Sequence, residues 1–129
     1  MIAGLVIDTN ALSAFAEGTT GATQQVSRAG QVAIPVIVLG EYRFGIAQSR
    51  HKREYERWLE EMVSISRVLD VNEETANWYA RLRVQLKEAG TPIPSNDAWI
   101  AALCRQHALP LLSRDRHFDL IQGLRRLYW

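Results

Sequence analysis

Short runs of consecutive aliphatic and β-branched residues recur along this chain, and segments with helical spacing separate them. Strands are expected at 5–7, 31–34, 64–69 and 109–112, with an edge strand at 125–128. Uninterrupted apolar runs of this length are typical of strands buried on both faces, as in parallel sheets covered by helices. The alternation therefore predicts an α/β fold, a three-layer α/β/α sandwich around a central, mostly parallel sheet.

Helices are expected between these runs, at 11–15, 22–29, 38–48, 52–62, 73–89 and 96–107. Gly18, Gly30 and Gly90 are predicted to end three of them, and a Ser/Asn cap to begin the last. The chain has 129 residues, of which 47% are hydrophobic and 22% charged. This size and composition are those of one folded unit, so we expect a single domain over 1–129.

Composition also excludes several classes of protein. Cys104 is the one cysteine, which rules out an internal disulfide and a cysteine-based zinc cage. The longest apolar run, 33–39, is far shorter than the roughly 20 residues that span a bilayer. With no targeting segment in view, we expect a cytoplasmic protein without membrane contact. Most of the 15 cationic residues are arginines, which indicates either phosphate partners or genomic compositional drift.

Two aspartates follow predicted buried strands. Asp8 comes directly after the 5–7 run, and Asp115 lies three residues beyond Leu112. Taken singly, Asp8 also suits a helix cap and Asp115 a turn. In parallel sheets, however, the carboxyl ends of strands share one rim, and ligands bind there.

Two further acidic residues are predicted to point inward from helices. Asp97 shares a helix stripe with Ala101, although the start of a helix also favours an aspartate. Glu41 shares a stripe with Gly45, and we interpret the glycine as leaving space beside the carboxylate. The alternative for Glu41 is an outward ion pair, for instance with Arg43.

Together the four carboxylates predict a metal site. Clustered carboxylates repel one another, and burial raises their pKa values further. Mg²⁺ or Mn²⁺ relieves that conflict because both ions prefer oxygen ligands. The three histidines lack a paired helical spacing, so we expect packing or surface roles for them rather than metal binding.

Four segments, 6–10, 40–46, 96–102 and 112–118, resemble in this order the acidic motifs of the PIN-domain ribonucleases, especially the VapC-type toxins of prokaryotic toxin–antitoxin pairs. The resemblance implies a PIN-like fold and a catalytic, metal-binding set made of Asp8, Glu41, Asp97 and Asp115. It further implies hydrogen-bonding support from Asn10 and Ser113, with Asp119 as an additional supporting candidate.

The resemblance implies a Mg²⁺- or Mn²⁺-dependent endoribonuclease that hydrolyses RNA phosphodiester bonds through a metal-activated water, leaving a 5′-phosphate and a 3′-hydroxyl. A cognate antitoxin protein that covers the site and a homodimer are the implied partners. Arg43, Arg114 and Arg116 are candidates for RNA contacts, the alternative being ion pairs with nearby acidic residues.

Two alternatives stay open at this point. A catalytically inert PIN-like module would bind RNA or protein without turnover, although it would have no need to keep four mutually repelling carboxylates. A haloacid-dehalogenase-like phosphatase also opens with a strand and an aspartate, but it needs a second acid at the position of Asn10.

Overall fold

The computed structural model describes residues 2–129, and within them the chain forms five strands, six α-helices and one 3₁₀ helix. The strands are β1 (Ile2–Ile7), β2 (Ala29–Pro35), β3 (Arg67–Leu69), β4 (Leu111–Leu112) and β5 (Arg126–Leu127). The α-helices are α1 (Thr9–Ala16), α2 (Thr20–Ser27), α3 (Val36–Ala47), α4 (Lys52–Ser64), α5 (Glu73–Glu88) and α6 (Ser95–His107), and the 3₁₀ helix is Arg116–Leu120.

The strands form one sheet in the order β3-β2-β1-β4-β5, and each neighbouring pair is parallel. The chain builds outward from β1 through β2 to β3 and then crosses to the other side for β4 and β5. The strand order therefore reverses between β1 and β4, which is where open α/β sheets bind their ligands. The predicted α/β/α class is confirmed, and the sheet is parallel throughout.

The core lies where β1, β4 and α6 meet. Leu5, Val6 and Ile7 of β1 are fully buried, as are both leucines of β4. Helix α6 is buried from Ile100 to Cys104, and α5 packs along it, with the rings of Tyr79 and Trp99 stacked 3.9 Å apart. Among residues 2–129, no helix is both long and apolar enough to cross a membrane.

Gly30 lies inside β2 rather than at the end of a helix, so its predicted role as a stop signal is wrong. Helix α2 already ends at Ser27, and a Cβ atom on Gly30 would lie 2.9 Å from the carbonyl oxygen of Ala3 in β1. The glycine therefore permits a close approach of two strands. Gly18 and Gly90 do follow α1 and α5 with positive φ angles, as expected.

Two other local predictions are wrong. Helix α6 begins after Pro94, and no side-chain hydrogen bond caps it, in place of the expected Ser/Asn cap. Strand β3 covers three residues rather than six because α4 continues to Ser64. Neither change moves a carboxylate, because Asp97 still falls in the first turn of α6.

Candidate active site

Asp8 lies at the carboxyl end of β1, beside the residue that follows β4. Ile7 pairs with Leu112, and this register places Asp8 next to Ser113. The Ser113 hydroxyl donates to Asp8 Oδ2 at 2.6 Å, and the Thr9 amide donates to Asp8 Oδ1 at 2.8 Å. Asp8 thus caps α1 with Oδ1 and is oriented through Oδ2, while Oδ1 keeps a free lone pair.

Asn10 and Ser113 tie the two strand ends together. The Asn10 side-chain oxygen accepts from the Arg114 amide at 3.3 Å, and its Nδ2 lies 3.4 Å from Asp8 Oδ2. The Ser113 Oγ accepts from the Asp115 amide at 3.0 Å. These bonds hold the chain after β4 in a fixed position relative to Asp8.

Glu41 joins the rim through two neutral side chains. The Thr9 hydroxyl donates to Glu41 Oε1 at 2.7 Å, and Asn96 Nδ2 lies 3.5 Å from Oε2. Asn96 directly precedes Asp97 in α6, so Glu41 lies near that carboxylate. Within residues 2–129 Glu41 takes part in no ion pair, so the outward pairing considered for it is absent there.

The closest cluster consists of Asp97, Asp115 and His117, whose ligand atoms all lie within 4.8 Å of one another. His117 Nε2 is 2.8 Å from Asp97 Oδ2, although the two groups are not aligned as a hydrogen bond. Nε2 is buried and has no hydrogen-bond acceptor among residues 2–129. The cluster therefore contains a nitrogen that lacks a well-formed partner.

Burial and mutual repulsion perturb the carboxylates of this rim. Burial, helped by the charges of Asp97 and Asp115, raises the pKa of Asp8 to about 6 despite the lowering effect of the Ser113 and Thr9 hydrogen bonds. The pKa of Asp97 is also raised, chiefly by burial, while the neighbouring His117 lowers it. Raised carboxylate pKa values at the sheet's switch point are typical of functional sites.

The family assignment follows from comparison with known proteins. A family model described as PIN domain matches residues 5–124 of the chain. The chain belongs to the PIN domain family.

Relatives within this PIN domain family are named in two of the comparisons. The chain is 35% identical over 95 residues to Ribonuclease VapC5 of Mycobacterium tuberculosis, which covers 72% of this chain and 70% of that protein. The crystal structure of VapBC-5 from the same organism, a member of the VapBC family of toxin-antitoxin systems, matches with a TM-score of 0.74 and 28% identity over 98% of this chain and 97% of that chain.

A third match extends the fold comparison. The crystal structure of VapBC2 from Rickettsia felis, bound to a DNA fragment from its promoter, matches with a TM-score of 0.85 and 23% identity, covering 98% of each chain. At this identity the match shows the PIN fold alone.

The three arginines predicted to contact RNA differ in where they lie relative to the acidic residues. Arg114 and Arg116 are exposed on either side of Asp115. Arg43 is exposed on α3, but residues two apart on a helix point about 200° away from each other, so Arg43 faces away from Glu41. The interpretation of Gly45 is wrong as well, because that residue is exposed and has open space around it rather than a carboxylate.

Asp119 does not point into the acidic cluster. Its two oxygens accept from Nε and one NH₂ group of Arg126 at 2.9 and 3.0 Å, which lowers the pKa of Asp119. The remaining Arg126 nitrogen donates to the carbonyl oxygen of Ser113 at 3.0 Å. Asp119 thus supports the site through Arg126, and only indirectly.

Thr9 and His117 are residues that the sequence interpretation missed. Both lie next to predicted acids in the chain, Thr9 after Asp8 and His117 two residues after Asp115. The histidines were set aside as metal ligands because no two of them have the spacing of paired ligands on one helix. That criterion does not apply to a single histidine such as His117, which lies beside Asp97 of another segment. The sequence signal that could have identified both residues is a polar side chain within two positions of a predicted acidic residue.

The donor set fits a divalent cation. Opposite ligands of Mg²⁺ lie about 4 Å apart, close to the spread of the Asp97, Asp115 and His117 ligand atoms. The buried Asp8 carboxylate, with its raised pKa, is the kind of group that a cation stabilises in its ionised form. Carboxylate oxygens suit Mg²⁺ and Mn²⁺ alike.

Proposed function

We propose that this PIN domain protein is a divalent-metal-dependent endoribonuclease and the toxin of a VapBC-type toxin–antitoxin pair, acting as a single domain over residues 1–129 in the cytoplasm. The observation that carries the proposal is the convergence of four carboxylates, from β1, α3, α6 and the end of β4, at the sheet's switch point. The relatives named ribonucleases and toxin-antitoxin proteins support the same assignment.

Asp8, Asp97 and Asp115 would hold the cation, with His117 as an additional nitrogen ligand. When bound, the cation supplies an activated water and neutralises charge on the phosphate. Glu41 accepts from Thr9 at the edge of this set and adds negative charge that favours cation binding. Together these side chains fix where the scissile phosphate lies.

The neighbouring polar residues orient that set. Ser113 and Asn10 hold the Asp8 carboxylate and the segment after β4 in place. Arg114 and Arg116 flank Asp115 and are exposed, which lets them contact RNA phosphates on either side of the site. The arginine-rich composition noted in the sequence is consistent with that role.

A protein partner is part of the proposal. An apolar groove of about 470 Å³ lies against α1 and α4, and its lining includes Phe15, Trp58 and Met62 together with Ile65, which is 77% exposed. Exposed apolar surface of this kind is typical of protein–protein interfaces. We assign it to the cognate antitoxin and leave the homodimer as a second expected assembly, both measurable by native mass spectrometry.

The test of the activity is cleavage of single-stranded RNA with Mg²⁺ or Mn²⁺, with and without EDTA. Asp97→Asn should lower the cleavage rate at least 100-fold while the protein stays folded, because it removes a ligand and its charge. Asp70→Asn is the matched control. Asp70 directly follows β3, as Asp8 follows β1, but Asp70 is exposed. Two strand spacings separate β3 from β1, which places Asp70 about 10 Å from Asp8.

The products and controls decide the outcome. We expect a 5′-phosphate and a 3′-hydroxyl at each cut, read by end-labelling. Full cleavage in excess EDTA, or equal rates for Asp97→Asn and Asp70→Asn, would contradict the proposal. RNA binding without turnover under any divalent ion would instead support the inert PIN-like module.

A further inference from the structure

A second cavity, of about 670 Å³, opens beside the acidic cluster. We call it the basic groove. It is lined by Arg114, Arg116, Asp119, Arg126, Tyr128 and Trp129. These residues come from the segment after β4 and from β5 with the two residues that follow it, which are adjacent because β4 pairs with β5.

The arginines of the basic groove are in different states. Each of the three guanidinium nitrogens of Arg126 donates one hydrogen bond, two to the oxygens of Asp119 and one to the Ser113 carbonyl. Arg114 and Arg116 are exposed, and across residues 2–129 neither forms an ion pair. The groove therefore presents two uncompensated cations.

Aromatic rings stand beside these cations. Tyr128 is 66% exposed, with the Arg126 guanidinium 5.4 Å from its ring centroid. The Arg114 guanidinium lies 4.7 Å from the ring of Trp129. Gln25 of α2 donates to the Tyr128 carbonyl oxygen at 3.0 Å, which anchors this segment. The exposed, anchored ring of Tyr128, in a groove that also holds the guanidinium groups of Arg114 and Arg116, is suited to stacking on an unpaired base.

The basic groove and the acidic cluster share one segment of chain. The Ser113 hydroxyl bonds to Asp8, whereas the Ser113 carbonyl accepts from Arg126 in the groove. The Arg114 amide bonds to Asn10, and the Arg114 side chain lies in the groove. The groove therefore adjoins the acidic cluster through residues 113 and 114.

We propose that the basic groove binds an unpaired nucleotide of the RNA strand next to the scissile phosphate, with Tyr128 stacking on its base and Arg114 and Arg116 contacting phosphates. The inference rests on the proposed nuclease function and adds that the substrate is single-stranded at this position, since a base inside a duplex has both faces covered by the neighbouring bases. A protein segment is the competing occupant, and the binding experiment distinguishes it.

The experiment measures binding of a short, fluorescein-labelled single-stranded oligoribonucleotide to the full chain by anisotropy in EDTA. Tyr128→Ala should weaken binding about tenfold, and Tyr128→Phe should retain it because the ring persists. A 2-aminopurine base in the RNA should lose fluorescence on binding wild type and Tyr128→Phe, but not Tyr128→Ala.

The arginine contribution is read from the dependence of binding on salt. Arg116→Gln should reduce the slope of log affinity against log salt by about 0.7, the value for one contact to a single strand. Arg81→Gln is the matched control and should leave the slope unchanged. The Arg81 guanidinium lies 5.0 Å from the centroid of the Trp78 ring, and Arg105 of α6 contacts the same ring. Arg105 is about 12 Å along α6 from Asp97, so Arg81 lies away from the acidic cluster.

Two measurements separate the inference from the function on which it rests. If Tyr128→Ala binds RNA as wild type does and Arg116→Gln keeps the full salt slope, the basic groove is not an RNA site, which is also the result expected if it binds protein. Wild-type cleavage in Mn²⁺ tests the nuclease separately. Weakened binding in the groove variants without wild-type cleavage would overturn the nuclease and leave the groove standing.

Discussion

Replacing the buried carboxylate of Asp8 by an amide should stabilise the metal-free protein at neutral pH. Burial and neighbouring charges raise the pKa of Asp8 from 3.8 to about 6. At 1.36 kcal/mol per unit, this difference means that ionised Asp8 opposes folding by about 3 kcal/mol above pH 6. Asp8→Asn removes that term.

The pH dependence fixes the sign of the effect. Below pH 3.8 Asp8 is protonated in both the folded and unfolded states, so its ionisation costs no stability. Between pH 3.8 and about 6 the unfolded chain loses the proton first, and wild-type stability falls relative to the variant. Above pH 6 the difference is constant.

Lost hydrogen bonding reduces the gain. Asn has one acceptor oxygen, so either the Thr9 amide or the Ser113 hydroxyl loses its partner, at a cost of about 1 kcal/mol. The net stabilisation at pH 7.5 is then about 2 kcal/mol, or about 7 °C in Tm for a chain of this length.

Thermal and urea unfolding in EDTA, from pH 4 to 7.5, measure this difference. Asp70→Asn, an exposed change of the same chemistry, should stay within about 0.5 kcal/mol of wild type. The reasoning is refuted if Asp8→Asn is less stable than wild type at pH 7.5, or if the difference is equal at pH 4 and 7.5. Added Mn²⁺ should stabilise wild type more than the variant.

Three further predictions concern other parts of the chain. Gly30→Ala should cost about 1–3 kcal/mol in urea unfolding, because its Cβ meets the Ala3 carbonyl, whereas Gly45→Ala, in open space within α3, should gain up to about 1 kcal/mol. Affinity for Mn²⁺, measured by calorimetry, should fall as the pH drops through about 6, since protons compete for Asp8; equal affinity at pH 5 and 7.5 would refute this. Asn72→Ala, which removes the capping box of α5, should cost about 1 kcal/mol in thermal unfolding, and an unchanged Tm would contradict that assignment.

The parts of the site that the sequence predicted are those fixed by the ends of strands or the period of a helix. Asp8 follows three core residues, and its place at the rim comes from the parallel arrangement of β1 and β4. Asp97 was located because the face of α6 behind it is apolar, and Ala101 and Cys104 on that face are buried. Both placements follow from local sequence patterns, an apolar run for Asp8 and a helical period for Asp97.

The remaining parts depend on contacts between distant segments. Glu41 was predicted to face inward, but its bond to Thr9 requires the relative rotation of α1 and α3, which no local pattern specifies. Helix α3 begins at Val36 rather than at the predicted residue 38, although Val36 and Ile37 are β-branched residues that favour strands. Tertiary packing overrides that preference immediately after Pro35.

The basic groove shows the same limit. Tyr128 lies in the segment 125–128, predicted only as an edge strand, and Trp129 directly follows it. The proximity of both residues to Arg114 and Arg116 depends on β5 pairing with β4. Two-residue strands such as these carry almost no periodic signal.

The position of β1 in the middle of the sheet has a consequence during synthesis on the ribosome. Asp8 is translated before β4, and its carboxylate is joined by Ser113 and Asp115 only after β4 has emerged and added to the free edge of β1. A nascent or truncated chain that ends before β4 therefore has no assembled acidic centre.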